Sequence, residues 1–189
     1  FCGEYERFEG IIRSYSNNYH NIELLLNRKR TTPYALNLGL KTAKAPIKII
    51  LGAHSYLAPD YIEQCLIIFK NNKEVDCLGG IIENVYENKK ASIIGLAQSS
   101  SFGVGNAHFR TGHKTGFVDT VAFGAYKQKI FDKCGYFDVS LKRNQDDEFN
   151  YRITKEGFKI WLDQKLKSKY FVRGSFKKLF KQYLQYGYW

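Results

Sequence analysis

The sequence contains no methionine, only three prolines and no long apolar run. A membrane-spanning helix needs roughly 18 or more consecutive apolar residues, so no segment of this chain is expected to cross a bilayer. Its four cysteines are scattered and include no Cys-x-x-Cys pair, which predicts reduced thiols in the core of a cytosolic protein. A chain without methionine that opens on Phe1-Cys2-Gly3 is also expected to be the middle of a longer protein.

Acidic residues are scarce relative to basic ones, with 18 Asp and Glu against 29 Lys and Arg and a formal net charge of +11. This balance suits a polyanionic partner, which could be nucleic acid, a nucleoside diphosphate or an anionic membrane surface. The chain also carries 14 Tyr and 14 Phe, more than a core usually needs. Some of these aromatic residues are therefore expected at the surface, as platforms for sugars, bases or lipid headgroups.

Strand-like and helix-like patterns alternate along the 189 residues, which are enough for one well-buried core. A helix is predicted to start at Thr32-Pro33, with Thr32 as its N-cap. A buried strand at 47–51 precedes a helix that opens at Pro59-Asp60, and a strand at 77–82 follows. This βαβ order predicts an α/β fold with a mostly parallel sheet and flanking helices. Further predictions are a short apolar run at 21–26, helices at 91–98, 127–134 and 146–155, a strand at 117–126 and a loop of small residues at 99–106.

Three consecutive carboxylates stand out in this basic chain: Asp146, Asp147 and Glu148. Adjacent acids repel one another and raise the pKa of at least one of them, unless a cation, a helix N-terminus or a metal compensates. Such a cluster suits a catalytic base. Two structural explanations stay open, because acids are common in the first turn of a helix and Glu148 can form an i,i+4 ion pair with Arg152.

The carboxyl-terminal segment at 174–189 has the pattern of a basic amphipathic helix. Its apolar residues fall on one face and its lysines on the flank, so it could lie in a membrane interface or dock on the domain as a final helix. The apolar residues are Phe176, Leu179, Phe180, Tyr183 and Leu184, and the lysines are Lys177, Lys178 and Lys181.

Five segments, taken in order, resemble family 2 glycosyltransferases, in particular the branch that builds bacterial exopolysaccharides such as succinoglycan. They are TPYALNLG at 32–39, AHS at 53–55, VDTVAFG at 118–124, QDDEFNYR at 145–152 and QYLQYG at 182–187. The resemblance runs from about residue 10 to the end. It implies a GT-A fold, which is a Rossmann-like sheet that binds a nucleotide sugar on its first half and the acceptor on its second half.

The resemblance also implies a reaction, namely displacement at the anomeric carbon, with inversion, after a carboxylate deprotonates an acceptor hydroxyl. Asp146 matches the family's base, and Asp147 and Glu148 would orient it or anchor the helix. The family uses a divalent cation, Mn²⁺ or Mg²⁺, held at an Asp-x-Asp or Asp-Ala-His signature. This chain has Gly52-Ala53-His54 instead, so Gly52 replaces the expected acid and His54 keeps the metal position.

The resemblance also implies roles for further residues on the donor and acceptor sides. Asp119 matches a family position near the acceptor or the donor phosphates, while Arg110 and His113 flank a loop that could reach the diphosphate. Gln182 and Tyr186 match a carboxyl-terminal motif that caps the acceptor in processive relatives. The family's first strands and Asp-rich turn have no counterpart here, which implies an N-terminally truncated sheet with an uncovered edge and apolar face.

The sequence therefore predicts one partial glycosyltransferase domain. Its donor side is expected at 1–82, its acceptor and catalytic side at 83–173 and its amphipathic helix at 174–189. The partners would be a nucleotide-sugar donor and a lipid-linked or polysaccharide acceptor at the inner face of the cytoplasmic membrane, without nucleic acid. The alternatives are a non-catalytic remnant that serves as a binding module, and a basic nucleic-acid-binding protein.

Overall fold

The computed structural model describes residues 2–105, 107–112, 114–141, 143–172 and 174–188. In this part of the chain six strands form one sheet with helices on both faces. The strands are β1 (Ile47–Ile49), β2 (Ser55–Leu57), β3 (Cys77–Val85), β4 (Gly116–Phe117), β5 (Ala122–Lys127) and β6 (Ile160–Phe171). The helices are α1 (Cys2–Asn18), α2 (Thr32–Thr42), α3 (Tyr61–Asn71), α4 (Lys89–Ala97), α5 (Ser101–Val104), α6 (His108–Thr111), α7 (Gln128–Cys134), α8 (Gln145–Lys155) and α9 (Phe176–Tyr188).

The α/β class with flanking helices is confirmed, but the sheet is mixed rather than mostly parallel. Its order is β1-β5-β3-β6-β2, with β4 paired to β6, and only the β3–β6 pairing is parallel among the described strands. The βαβ unit β1–α3–β3 does keep its two strands in one direction, as predicted. However, β5 inserts between them and runs antiparallel to both. A hydrophobic pattern detects a strand, but it does not tell which strand becomes the neighbour.

Predicted helices are present, with shifted ends. The helix expected from Thr32 is α2, and its N-cap is Thr31, which has an extended backbone, so Thr32 and Pro33 lie in the first turn. The expected helix at 146–155 is α8. The strand expected over 117–126 is divided between β4 and β5. The run at 21–26 forms no strand, and residues 2–10 belong to helix α1, which was not predicted from the sequence.

The long strand β6 has no counterpart among the predictions. Its pairing with β3 shifts register between Gly80 and Ile81, where residues 164–166 bulge out of the ladder. At this point the two backbones approach so closely that a Cβ atom on residue 80 would lie 2.1 Å from the Leu166 carbonyl oxygen. Glycine is therefore required at position 80. The bulge also interrupts the alternation of apolar and polar residues that would have marked the strand.

Two apolar clusters cover the two faces of the sheet. One packs α2, α7 and α8 against it, with Ile130, Phe149 and Leu162 at its centre. The other packs α3 against the opposite face through Cys65 and Phe69. Burial of each large side chain stabilises the fold by about 1.5–3 kcal/mol, so α8 is held firmly by its inner face. Cys65 and Cys77 are buried and free of disulfides, as predicted, and burial raises the pKa of Cys65 to about 12.

Candidate active site

Helix α8 presents its three acids to different surroundings. Asp146 and Asp147 are exposed, and no hydrogen bond or ion pair from the described residues reaches the Asp146 carboxylate. Partial burial, and then the neighbouring charge of Asp146, raise the pKa of Asp147. The repulsion predicted between adjacent acids therefore contributes to this rise in pKa, but burial is the larger cause. Glu148 is different, because both of its oxygens accept hydrogen bonds of 2.7 Å from the Arg152 guanidinium.

The Glu148–Arg152 pair joins α8 to the segment that follows α7. Besides Glu148, Arg152 donates to the Cys134 carbonyl at 2.6 Å and to the Tyr136 carbonyl at 3.0 Å. The i,i+4 ion pair predicted as a structural alternative is therefore present, and it is extended by two backbone contacts. Glu148 anchors the helix, whereas the Asp146 and Asp147 side chains are exposed.

The inner face of α8 contacts the segment at 118–120. Asn150 is buried, and its Nδ2 donates to the Thr120 hydroxyl at 2.8 Å, next to Asp119. Its Oδ1 lies 3.5 Å from the Tyr126 hydroxyl. Burial raises the pKa of Tyr126 well above its ordinary value, and the neighbouring Cys77 thiol and Asp146 carboxylate add to the rise. Asp146 is therefore within electrostatic reach of this buried polar group, and exposed Asp119 lies on the segment bonded to the same helix.

Helix α9 ends beside the start of α8. Asn144 has a positive φ of 57° and does not cap α8 with its side chain. Its Nδ2 donates instead to the Tyr186 carbonyl at 3.0 Å, while Arg143 Nε donates to Gln185 Oε1 at 3.1 Å. Gln182 Nε2 in turn donates to the Tyr186 hydroxyl at 2.5 Å. The structure thus brings the Tyr186 carbonyl, which is remote in sequence, next to the start of α8, and Gln182 is linked to that contact through the Tyr186 hydroxyl.

The turn at 52–54 connects β1 to β2. Ser55 closes it by donating its backbone N–H and its hydroxyl to the Gly52 carbonyl, at 3.2 and 2.6 Å. The Phe123 ring leaves little room above Gly52, because a Cβ atom there would lie 3.3 Å from Phe123 Cε1. Phe123 itself has a φ of 50°, in the left-handed region, and its carbonyl accepts a 3.2 Å hydrogen bond from the Tyr61 hydroxyl. His54 is exposed at the end of the turn.

Arg110 lies on α6 with its guanidinium 5.6 Å from the centres of the Phe109 and Tyr170 rings. Its Nη1 is buried and has no hydrogen-bond partner among the residues that the structure describes. Tyr170 on β6 pairs with Ser55 on β2, the strand that follows the turn at 52–54. Arg110 therefore packs against the strand next to β2. The other basic candidate of this loop, His113, lies outside the described residues.

A family model described as glycosyl transferase family 2 matches residues 3–135. The chain belongs to this family. It is 36% identical over 176 residues to dolichyl N-acetyl-alpha-D-glucosaminyl phosphate 3-beta-D-2,3-diacetamido-2,3-dideoxy-beta-D-glucuronosyltransferase of Methanococcus voltae, a match that covers 90% of the chain and 54% of that enzyme. It is 27% identical over 179 residues to succinoglycan biosynthesis protein ExoA of Rhizobium meliloti, covering 94% of the chain and 54% of ExoA.

The fold of this family 2 domain is GT-A, as its solved neighbours show. One of them is the mannosyltransferase PcManGT from Pyrobaculum calidifontis in complex with GDP-Man and Mn²⁺, with a TM-score of 0.59 and 14% identity. That match covers 85% of the chain and 43% of PcManGT. The chain spans about half the length of the curated relatives it matches. No helix in the described ranges is both long and apolar enough to cross a membrane.

The residues of the 52–54 turn do not by themselves fit the divalent cation that the family implies. Gly52 offers no side-chain ligand, and His54 alone is a poor site for a hard cation that prefers oxygen ligands. Across the described ranges, no group of three or more His, Cys, Asp and Glu side chains is arranged to hold a metal ion.

Sequence analysis did not identify Asn144, Asn150 and Thr120 as parts of the site. A signal for Asn150 was present, because asparagine is a weak helix former and lies one turn after Asp146 on the same face. Thr120 belongs to the VDT motif, in which Asp119 carries the charge that marks a candidate site residue. Asn144 had no such signal, since its contact with Tyr186 spans 42 residues.

Proposed function

We propose that this domain transfers a sugar from a nucleotide-sugar donor to a lipid-linked or polysaccharide acceptor, with Asp146 as the general base. The observation that carries the proposal is the position of Asp146, which is exposed at the start of α8, free of ion pairs from the described residues and flanked by the end of α9. A lipid-linked acceptor is favoured by the name of the Methanococcus voltae relative, which specifies a dolichyl phosphate sugar.

The proposed reaction is a single displacement. Asp146 removes the proton from an acceptor hydroxyl, and the oxygen attacks the anomeric carbon of the donor sugar. The bond from that carbon to the nucleoside diphosphate breaks, and the electron pair leaves with the phosphate oxygen. One displacement without a covalent intermediate inverts the anomeric configuration. Arg110 would balance the charge on the diphosphate, because an arginine with an unpaired N–H suits a phosphate oxygen.

The acceptor would lie under α9. Gln182 and Tyr186 hydrogen-bond to each other, and Asn144, two residues before Asp146, donates to the Tyr186 backbone carbonyl. Tyrosine offers a flat ring for a sugar and a hydroxyl for its polar groups. This arrangement supports the acceptor-side assignment that the sequence predicted for these two residues.

We also propose that α9 places the domain on an anionic membrane, at the inner face of the cytoplasmic membrane. Its inward face holds Leu179 against the small core cluster of α4 and β6. On its other face Phe180 and Leu184 are 72% and 64% exposed. Lysines flank this exposed apolar strip, a combination typical of helices that lie in a membrane interface.

The test of the catalytic proposal is the Asp146→Asn variant of the full-length protein, offered UDP, GDP and dTDP sugars with a lipid-linked acceptor. Turnover is expected to fall by about 10²- to 10⁴-fold, the usual contribution of a general base, while donor affinity measured by calorimetry is unchanged. Asp132→Asn, which removes an exposed acid on α7, is the matched control and should keep full turnover. Lost donor binding with unchanged turnover would contradict the role given to Asp146.

A second candidate function is a non-catalytic binding module, and the absence of a carboxylate at Gly52 favours it. Such a module would bind the donor or acceptor without transferring the sugar. Sensitive detection of nucleotide-sugar hydrolysis or transfer by the wild-type protein would eliminate this candidate.

A further inference from the structure

Asn150 is a buried polar residue in the middle of α8, where apolar side chains would be expected. It is 1% exposed and lies between Phe149 and Ile153, which are fully buried. An amide group in such a place costs free energy unless it forms hydrogen bonds, and asparagine also weakens a helix relative to leucine. Its presence therefore needs a reason other than packing.

The side chain of Asn150 connects α8 to two other parts of the domain. Its Nδ2 donates to Thr120 Oγ1 at 2.8 Å, and its Oδ1 faces the Tyr126 hydroxyl at a longer 3.5 Å. The Thr120 contact is the stronger one, since 3.5 Å is near the limit of a hydrogen bond. Residues four apart share one face of a helix, so Asp146 lies one turn before Asn150 on the same face of α8, and this is the face from which Asn150 contacts Thr120.

We propose that Asn150 is a positioning residue that fixes the segment carrying Asp119 relative to the helix carrying Asp146. One amide thereby sets the spacing between the donor-side candidate Asp119 and the candidate base. The inference rests on the proposed transfer reaction. A displacement requires the attacking oxygen and the anomeric carbon to meet in one geometry, and a misplacement of about 1 Å can cost about 100-fold in rate.

The test is a double-mutant cycle on the full-length protein, with kcat and KM measured for both substrates. Asn150→Ala and Thr120→Val each remove the hydrogen bond, and each is expected to lower kcat by about 10- to 100-fold. The KM of the donor should change far less, because the hydrogen bond orients the reacting groups without contacting the donor. Thr120→Ser keeps the hydroxyl and should retain kcat. The double variant should be no slower than Asn150→Ala alone.

Asn37→Ala is the matched control for a merely structural role. Asn37 also makes two hydrogen bonds, to the backbone of Phe137 at 2.8 and 2.9 Å, but neither of them reaches the segment at 118–120. This variant should lower Tm and leave kcat unchanged. Wild-type kcat in Asn150→Ala or Thr120→Val, or additive losses in the double variant, would overturn the inference. Absence of sugar transfer by the wild-type protein would instead overturn the proposed function, and this inference with it.

Discussion

At the scale of single residues, the pKa values of two acids near α8, Asp147 and Asp138, are shifted in opposite directions. The pKa of Asp147 is raised by partial burial and by Asp146. The pKa of Asp138 is lowered, chiefly by hydrogen bonds from Ser140, whose backbone N–H lies 2.8 Å from its Oδ1. A carboxylate with a raised pKa in the folded state destabilises the protein above that pKa, and one with a lowered pKa stabilises it.

Asp147→Asn is therefore expected to increase the free energy of unfolding at pH 7, by about 0.5 kcal/mol or less, because the partly buried side chain still reaches solvent, which screens its charge. The gain should disappear as the pH falls below the ordinary aspartate pKa of about 3.9, where the carboxyl is protonated in both states. Urea unfolding at pH 7 and pH 3 measures the difference. Asp138→Asn should have the opposite sign, with a loss at pH 7 that vanishes in acid. Equal signs would contradict the assigned environments.

Gly52 leaves the turn at 52–54 without the carboxylate that the family resemblance leads one to expect there. Gly52→Asp adds a carboxylate two residues before His54, and the Phe123 ring must shift by a few tenths of an ångström to admit it, since the new Cβ would lie 3.3 Å away. In the presence of UDP, affinity for Mn²⁺ measured by electron paramagnetic resonance is expected to rise by about tenfold, because anionic oxygen ligands raise cation affinity. Gly52→Asn has the same shape without the charge. Equal Mn²⁺ affinity in both variants would contradict the prediction.

At the scale of elements, two similar ion pairs have different surroundings. Arg152 pairs with Glu148 and also binds two carbonyl groups, while Arg13 pairs with Glu9 in the same i,i+4 arrangement on α1. No such carbonyl contacts join Arg13 within the described residues, and its side chain is 59% exposed against 28% for Arg152. The first pair holds α8 on the domain, and the second lies along the surface of one helix.

Arg152→Met is expected to destabilise the protein by about 2–3 kcal/mol, because charged hydrogen bonds to partly buried groups are lost and carbonyls stay unpaired. Arg13→Met should cost about 0.5 kcal/mol or less, as exposed i,i+4 pairs do. Chemical unfolding of both variants in parallel measures the contrast. Similar losses in the two variants would show that Arg152 does not anchor α8.

Helix α9 provides a prediction about membrane binding. Phe180→Ser combined with Leu184→Ser should weaken binding to vesicles rich in phosphatidylserine by about tenfold or more, since buried apolar area drives interfacial binding. The control is Ile62→Ser with Leu66→Ser, which removes two apolar side chains of α3 that are 59% and 53% exposed. Cosedimentation at low and high salt is the measurement. Equal losses in both double variants would show that α9 is not the contact.

At the scale of the whole molecule, sequence patterns correctly predicted the features that depend on contacts between residues close in sequence. The start of α2 at Thr32-Pro33 and the i,i+4 pair of α8 depend on contacts within one turn, so they were predictable. The run at 21–26 was apolar enough for a strand, yet nothing in the described chain pairs with it. Strand β6 was missed because its bulge breaks the alternating pattern that identifies strands.

The candidate site was likewise predictable only in part, because some of its features depend on contacts between distant residues. The acidic residues Asp146, Asp147 and Glu148 were visible as a local excess of charge. Their separation into an exposed candidate base, an acid with a raised pKa and a helix anchor depends on Arg152, Cys134 and the burial around them. Sequence spacing could not provide this separation, because the deciding partners lie on another element.

The sequence by itself determined the α/β class, the family and the helices α2, α3, α4, α7, α8 and α9, since these follow from composition, short-range periodicity and ordered motifs. Only the tertiary structure decided that β5 lies between β1 and β3, that Tyr186 meets Asn144 and that Asn150 bonds to Thr120. The physical reason is that sheet order and side-chain contacts over 30 or more residues depend on which surfaces pack together, a choice made by the whole core.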